Sequence, residues 1–327
     1  MAKKKYRIFG ITSRFLMLIV AALLALSYLS IVINPAKLWP VSLSGIFYVP
    51  LMTLNLLLLL WAFKRRSKSF VIPLLALLPS FFFIGRYVQL SPEKADDKPV
   101  SGEVVKILSW NVGRFALHDS DAGIAGSVQC MDSIFSFIRQ HDPDIICLQE
   151  FSIANAERVK EYLKDRFKGY TAEYYLFPEA QNSFGNLTLS RFPVEGKGRI
   201  RFEESANLAI YTDHVAGNRH FRVYNCHFES YNISMTGLIK GLAMRDSTLM
   251  AQTGDKVKRS ITRRPKQVDQ VFEDIESCPL ESFVCGDFND NPMSYTYYRM
   301  TRDRKDAFIE AGKASVLHIH YCGRCLG

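Results

Sequence analysis

Five polar residues in this chain of 327 residues stand at the ends of apolar runs. Asn111 lies in SWNVG, Glu150 closes DIICLQE, His227 sits in YNCHFES, and Asp287 and Asn289 sit in VCGDFND. A carboxylate with amides beside it suits a hard divalent cation such as Mg²⁺, which takes oxygen ligands and keeps several of its waters. A histidine and a further amide nearby can neutralise charge developing on a phosphoryl oxygen. Taken singly, each has a plainer explanation, since Asp and Asn after a strand are common turn formers. Four such ends in one stretch of chain argue for convergence on one rim.

The elements that must position them alternate between short β-rich runs and longer amphipathic stretches. Val104–Trp110, Asp144–Leu148, Leu187–Ser190, Leu208–Thr212, Phe221–His227 and Ser282–Cys285 read as strands, being rich in Val, Ile, Leu, Phe and Tyr. Val128–Gln140 and Pro265–Glu276 repeat apolar residues at helical spacing, with Pro265 suited to a first turn. Ala156–Phe167 and Gly237–Met250 are further expected helices. The result is an α/β layered domain whose strand order the pattern leaves open.

The ordered series SWNV, DIICLQE, GNLTLSRFP, YNCHFES and VCGDFNDNP closely resembles the endonuclease/exonuclease/phosphatase superfamily, also called deoxyribonuclease I-like. The resemblance covers about Val104 to Phe308 and is that of a membrane-anchored bacterial type. It implies a four-layer α/β sandwich of two mostly antiparallel sheets with helices outside, and Mg²⁺- or Mn²⁺-dependent hydrolysis of phosphate esters. By this resemblance Glu150 holds the metal with help from Asn111. His227 and Asn289 contact the scissile phosphate, Asp287 orients or activates the attacking water, and Arg191 in LSRFP is structural.

The carboxyl end departs from the family. Members continue past a segment like KDAF (Lys305 to Phe308) into two more strands, one carrying an Asp and the last an Asp-His pair that serves as general acid/base. Here the chain reads KASVLHIHYCGRCLG after Gly312, and neither motif is present. His318 and His320 lack a partner carboxylate, and Cys322 and Cys325 form a CxxC with no second pair. The expectation is a family domain truncated or altered after about 312, with acid/base catalysis weakened by ~10²- to 10⁴-fold.

Composition adds location. The chain has 41 Lys and Arg against 32 Asp and Glu, a formal charge of +9, and 48% apolar residues. No acidic residue precedes Glu93, while 11 basic residues do, leaving 30 basic against 32 acidic residues in the remainder. The surplus positive charge therefore does not describe a basic nucleic-acid-binding domain. It flanks three uncharged apolar runs, Phe15–Ile33, Val41–Phe63 and Phe70–Gly85. The first two are long enough to cross a hydrocarbon core of ~30 Å and the third is marginal. Lys and Arg are dense before the first run, sparse after it and dense again after the second, which reads as in, out, in. A third crossing then puts the rest of the chain outside the cytoplasm.

Residues 1–90 thus read as a membrane segment with two to three spanning helices, 91–102 as a polar linker, and 103–327 as the catalytic-type domain. Seven cysteines cannot all pair, and Cys147, Cys226 and Cys285 lie inside strand runs, where a thiol acts as a small buried hydrophobe. The function expected is a membrane-anchored, divalent-metal-dependent phosphoesterase of a bacterial inner membrane. The alternative is a catalytically impaired binding protein of the same fold. Its substrate is a phosphoester: nucleic acid, phospholipid or small molecule. The basic run Lys256, Lys258, Arg259, Arg263, Arg264 and Lys266 reads as a solvated helix face rather than a nucleic-acid site.

Overall fold

A computed structural model describes residues 2–89, 104–116, 123–231 and 247–311. The expected linker 91–102, most of the expected helix Gly237–Met250 and the tail after 312 lie outside the described residues. The chain divides into two compact units. Among the described residues, the first takes 2–89, 231, 247–268 and 290–311, and the second takes 104–230 and 269–289.

The second unit holds two four-stranded sheets, in agreement with the expected architecture. One has the order β1-β2-β4-β3, from Ile107–Asn111, Ile145–Ile153, Ser183–Ser190 and Thr171–Pro178. The other runs β5-β6-β7-β8, from Val194–Arg201, Leu208–Ala216, Arg219–His227 and Glu281–Asp287. Only β1 with β2 and β7 with β8 are parallel; the other neighbours are antiparallel.

Alternation along β2 builds the layers. Ile146 and Leu148 face helix α5 (Gly123–His141) and helix α6 (Val159–Lys164), packing with Ile134, Phe135, Ile138 and Leu163. Ile145 and Cys147 point the other way, onto Phe221 and Val223 of the second sheet. Burial of each large side chain stabilises by about 1.5–3 kcal/mol. Helix α5 presents apolar residues at 130, 134, 135 and 138, one helical face. It stops at Asp142, whose φ of 47° turns the chain left-handed just before Pro143.

In the first unit, helix α1 (Ala2–Leu29) leads to α2 (Trp39–Ile46) and α3 (Tyr48–Lys64), the last two bent by 63° about Phe47. Residues 71–86 are not one helix. They form α4 (Val71–Leu77) followed by 3₁₀ turns at Leu78–Phe82 and Ile84–Arg86. Leu24, Ile31, Tyr48 and Met293 form the buried cluster of this unit, with Tyr28 stacked on Phe83 and Tyr48 on Tyr87.

Helix α7 (Ser247–Ser277) is longer than the sequence pattern indicates, and Pro265 lies inside it rather than in its first turn. A proline there removes one backbone bond at a cost of about 3 kcal/mol. Burial of Ile261, Val268, Val271, Phe272 and Ile275 offsets that loss. Two short helices follow, α8 (Tyr295–Thr301), capped by the Ser294 hydroxyl on Tyr297 N–H, and α9 (Ala307–Ala311).

Candidate active site

The two parallel pairs set the site. Parallel neighbours end on the same side, so β1 and β2 deliver Asn111 beside Gln149, and β7 and β8 deliver His227 beside Asp287 in register. Glu150 needs a further device. Between the pairs Leu148–Leu187 and Phe151–Gly185, two residues of β2 oppose one of β4, a β-bulge. The bulge gives Glu150 a φ of 52° and breaks the strand alternation. Gln149 then turns inward and Glu150 keeps a partly exposed carboxylate. Left-handed backbone at a non-glycine residue costs of order 1–3 kcal/mol and collects at functional sites. Gly286 has the opposite role. Its φ is 137°, and a Cβ there would sit 1.9 Å from the Cys226 carbonyl oxygen, so only glycine lets β8 close on β7.

Four of the five expected residues form one chain of contacts. The Asn111 amide donates from Nδ2 to Asp287 Oδ2 at 2.7 Å and to Glu150 Oε1 at 3.2 Å. Its Oδ1 accepts the Gly113 N–H at 2.9 Å, which fixes the orientation of the amide. His227 Nε2 lies 3.6 Å from Glu150 Oε1. Asn289, with φ 50°, is tied to the group through its own N–H, which donates to Asp287 Oδ1 at 2.9 Å, while its side-chain amide donates to Phe228 O at 2.9 Å.

Two carboxylates therefore converge on a single N–H₂ group. Like charges at this separation repel unless a positive group sits between them. The donor set of two carboxylates with flanking amides fits a hard divalent ion that completes its shell with water and substrate oxygen. Among the described residues no group of three or more His, Cys, Asp and Glu clusters closely enough to form an all-protein metal cage.

Arg191 lies outside this group. Its guanidinium pairs with Asp142 and lies 4.8 Å from the Tyr170 ring, bracing the start of β2. The sequence reading missed a polar network under the site. Gln149 donates to Asn225 Oδ1 at 2.7 Å, Asn225 Nδ2 reaches Leu187 O at 3.0 Å, and Asn186 Nδ2 reaches Asn225 O at 2.9 Å. All three side chains are buried and they stitch the two sheets together directly beneath Glu150. The available signal was an amide inside each of the runs LQE, GNL and YNC.

A family model described as Endonuclease/Exonuclease/phosphatase family matches residues 108–325, well over half of the chain. The chain belongs to this family. A second model, a domain of unknown function (DUF8431), matches residues 7–87. No curated protein matches significantly. Among solved structures, the human nocturnin catalytic domain with bound sulfate is 16% identical, covering 64% of this chain and 76% of that chain at a TM-score of 0.45. A humanized D. rerio TDP2 is 18% identical, covering 62% and 72% at 0.39. A family protein from Leptotrichia buccalis is 14% identical, covering 61% and 72% at 0.41.

Proposed function

We propose that this family member is a membrane-anchored, divalent-metal-dependent phosphoester hydrolase with its site outside the cytoplasm. One observation carries the reading: Asn111, Glu150 and Asp287, from three strands of two sheets, meet around one amide with His227 beside them. Glu150, with Asn111, would hold Mg²⁺ or Mn²⁺, which supplies positive charge to a phosphoryl oxygen. Asp287 orients the attacking water; its two oxygens are already aimed by Asn111 and by the Asn289 N–H. His227 and Asn289 donate hydrogen bonds to the non-bridging oxygens as charge builds there.

The apolar segment supports anchoring. Of 29 exposed large apolar residues among those described, 23 lie between Ile11 and Ile84, so this surface is suited to lipid rather than water. The span Ile11–Leu29 is only 22% buried, unlike a core helix. Contacts at the ends of the runs support three crossings. Arg14 Nε donates to Ser69 Oγ at 3.0 Å, joining the starts of the first and third runs. Ser30 and Arg86, at their far ends, both bond to one loop, at Met293 O and Pro292 O.

Phosphoesters of nucleic acid, lipid or small molecules remain the substrate class. Arg264 of the basic run is buried and paired with Asp290 at 3.1 Å, so that run is not a continuous phosphate-binding face. Hydrolysis of bis-p-nitrophenyl phosphate with Mg²⁺ tests the proposal. Turnover by the wild type, lowered ~10²- to 10⁴-fold in Glu150→Ala and Asp287→Ala, is the expected result. Turnover indifferent to both substitutions overturns the site. No turnover in the wild type leaves a binding protein of the same fold.

A further inference from the structure

Strand pairing carries the row of the site to an open edge of the sandwich. Arg201 of β5 pairs with Leu208, Leu208 with His227, and His227 with Asp287. Residues directly opposite each other share a face, so Arg201 stands on the face that bears His227 and Asp287. At one strand spacing per step it lies about 10 Å from His227 and about 14 Å from Asp287 along the sheet. Arg199 belongs to the next row on that face, with Ile210 and Asn225. The other sheet brings aromatic rings to the same edge. Tyr175 opposes Asn186, whose amide reaches Leu208 O and Asn225 O, so Tyr175 and Phe177 of β3 face the second sheet. The Arg199 guanidinium lies 4.4 Å from the centre of the Tyr175 ring and that of Arg201 5.7 Å. Phe177 meets Tyr175 edge-on at 5.1 Å, and Arg114, three residues after Asn111, sits 3.6 Å over Phe184.

The charges along this edge are not equivalent. Arg114 pairs with Glu179 and Lys197 with Glu173, whereas Arg199 and Arg201, both exposed, have no ion pair among the described residues. A guanidinium laid on a ring holds its N–H fork in a fixed plane, which suits phosphate oxygens and loses little freedom on binding. Two of them ~7 Å apart along one strand suit consecutive phosphates of an extended chain. A phospholipid with a single phosphate gives them nothing to hold. A long duplex needs a cation for each phosphate it contacts, which a domain of 30 basic against 32 acidic residues does not spread over its surface. A short single strand needs few cations, and its bases stack on aromatic and guanidinium faces. We propose that Arg199 and Arg201, seated on Tyr175, form a second phosphate subsite that takes single-stranded nucleic acid about 10 Å from the reacting phosphate. This rests on the function proposed for the His227 and Asp287 row and names its substrate.

Two measurements on the full chain in detergent micelles test it. The first is binding of a fluorescein-labelled oligothymidylate of about eight residues, in EDTA, by anisotropy across a range of salt. The double variant Arg199→Ala, Arg201→Ala is expected to raise Kd by ~10- to 100-fold. With two phosphate contacts gone, the slope of log K against log salt should flatten by about 1.4. Lys160→Ala with Lys164→Ala removes the same charge from exposed positions on α6 and is expected to bind like the wild type. The second measurement is hydrolysis with Mg²⁺. On the oligothymidylate the arginine variant is expected to lose ~10-fold more kcat/KM than it loses on bis-p-nitrophenyl phosphate, with the difference carried by KM. An unchanged Kd in the arginine variant, or an equal rise in the lysine variant, overturns the proposal. So does a loss seen only in binding of phosphatidylglycerol added to the micelles, which would make this edge a lipid contact. Failure of the underlying function looks different: binding that depends on the arginines, without turnover of either substrate, supports the nucleic-acid subsite and overturns the hydrolase reading.

Discussion

Asn111 and Asp287 belong to different sheets, 176 positions apart in the chain, and are joined by a 2.7 Å hydrogen bond. The same amide hydrogens also serve Glu150. One neutral donor is thus shared by two carboxylates. The proposed function places a divalent cation beside this pair.

On that proposal Mg²⁺ is a stabilising ligand. At a concentration 100 times its Kd, binding stabilises the folded chain by about 2.7 kcal/mol. Glu150→Gly is expected to abolish this gain. In EDTA the same variant is expected to melt higher than the wild type, by about 1 kcal/mol, because glycine tolerates the φ of 52° and one repelling charge is gone. Melting curves with Mg²⁺ and with EDTA check both halves. A Mg²⁺ shift that survives in Glu150→Gly would place the cation elsewhere.

Gly286 holds the Asp287 strand against the His227 strand. Gly286→Ala must move the Cys226 carbonyl, which a Cβ would meet at 1.9 Å, and must strain a φ of 137°. The expected loss is about 3 kcal/mol or more. Gly169→Ala is the control, since its φ of 84° is also left-handed but nothing lies within 4 Å of the added Cβ; it should cost about 1 kcal/mol. Urea midpoints measure the difference, and equal losses would show that crowding at β7 and β8 is not what requires glycine.

The strands that carry the site were legible because each is a run with several apolar residues ending in a polar one. The two strands the pattern left out, β3 and β5, are both sheet edges. β5 reads VEGKGRIR, with charges and glycines that blunt an edge, and Tyr211 and Asp213 of its neighbour lie where Cβ atoms at Gly198 and Gly196 would go. β3 ends in Pro178 and carries Glu173, which pairs with Lys197 at 2.7 Å. Edge chemistry hides a strand from a search for apolar alternation. The bulge at Glu150 was equally hidden, since it exists only through pairing with β4. The packing of residues 290–293 on Ser30 and Gly45 joins segments more than 240 positions apart, which no local pattern encodes.

His214 gives the fold a pH dependence. It is buried on β6 between the hydroxyls of Thr212, at 2.7 Å, and Ser190, at 3.1 Å. Burial pushes its pKa down to about 4, with Asp213 pulling weakly the other way. In the unfolded chain the imidazole protonates near 6.5, so between those values only the unfolded state takes up the proton. Stability is full above about pH 6.5 and falls as pH drops towards 4, by about 3 kcal/mol in total. His214→Gln keeps hydrogen-bonding capacity without titrating and should flatten this slope. Urea midpoints at pH 7.5 and 4.5 provide the measurement, and an unchanged slope in the variant would assign the effect to other groups.

Membrane topology yields the last prediction. The third apolar run, Phe70–Gly85, has only 16 residues, yet the 3₁₀ turns between 78 and 86 rise faster than α-helix. Seven α-helical residues and eight 3₁₀ residues reach about 26 Å. Helix α1 covers about 24 Å between Arg14 and Ser30. The third run is thus long enough to connect the Arg14 end, where Ser69 lies, to the Ser30 end, where Arg86 shares a loop with Ser30. The second run starts at that same far end, because Gly45 O also receives Asn291. It finishes beside the third, with Phe63 stacked on Phe70 at 4.7 Å between ring centroids. Those end contacts fit the proposed order of up, down and up again. With the Lys- and Arg-rich ends facing the cytoplasm, as the proposal has it, alkaline phosphatase fused after Lys68 should be inactive and a fusion near Lys98 active. An inactive fusion at Lys98 would mean that the third run turns back, and the candidate site would then face the cytoplasm.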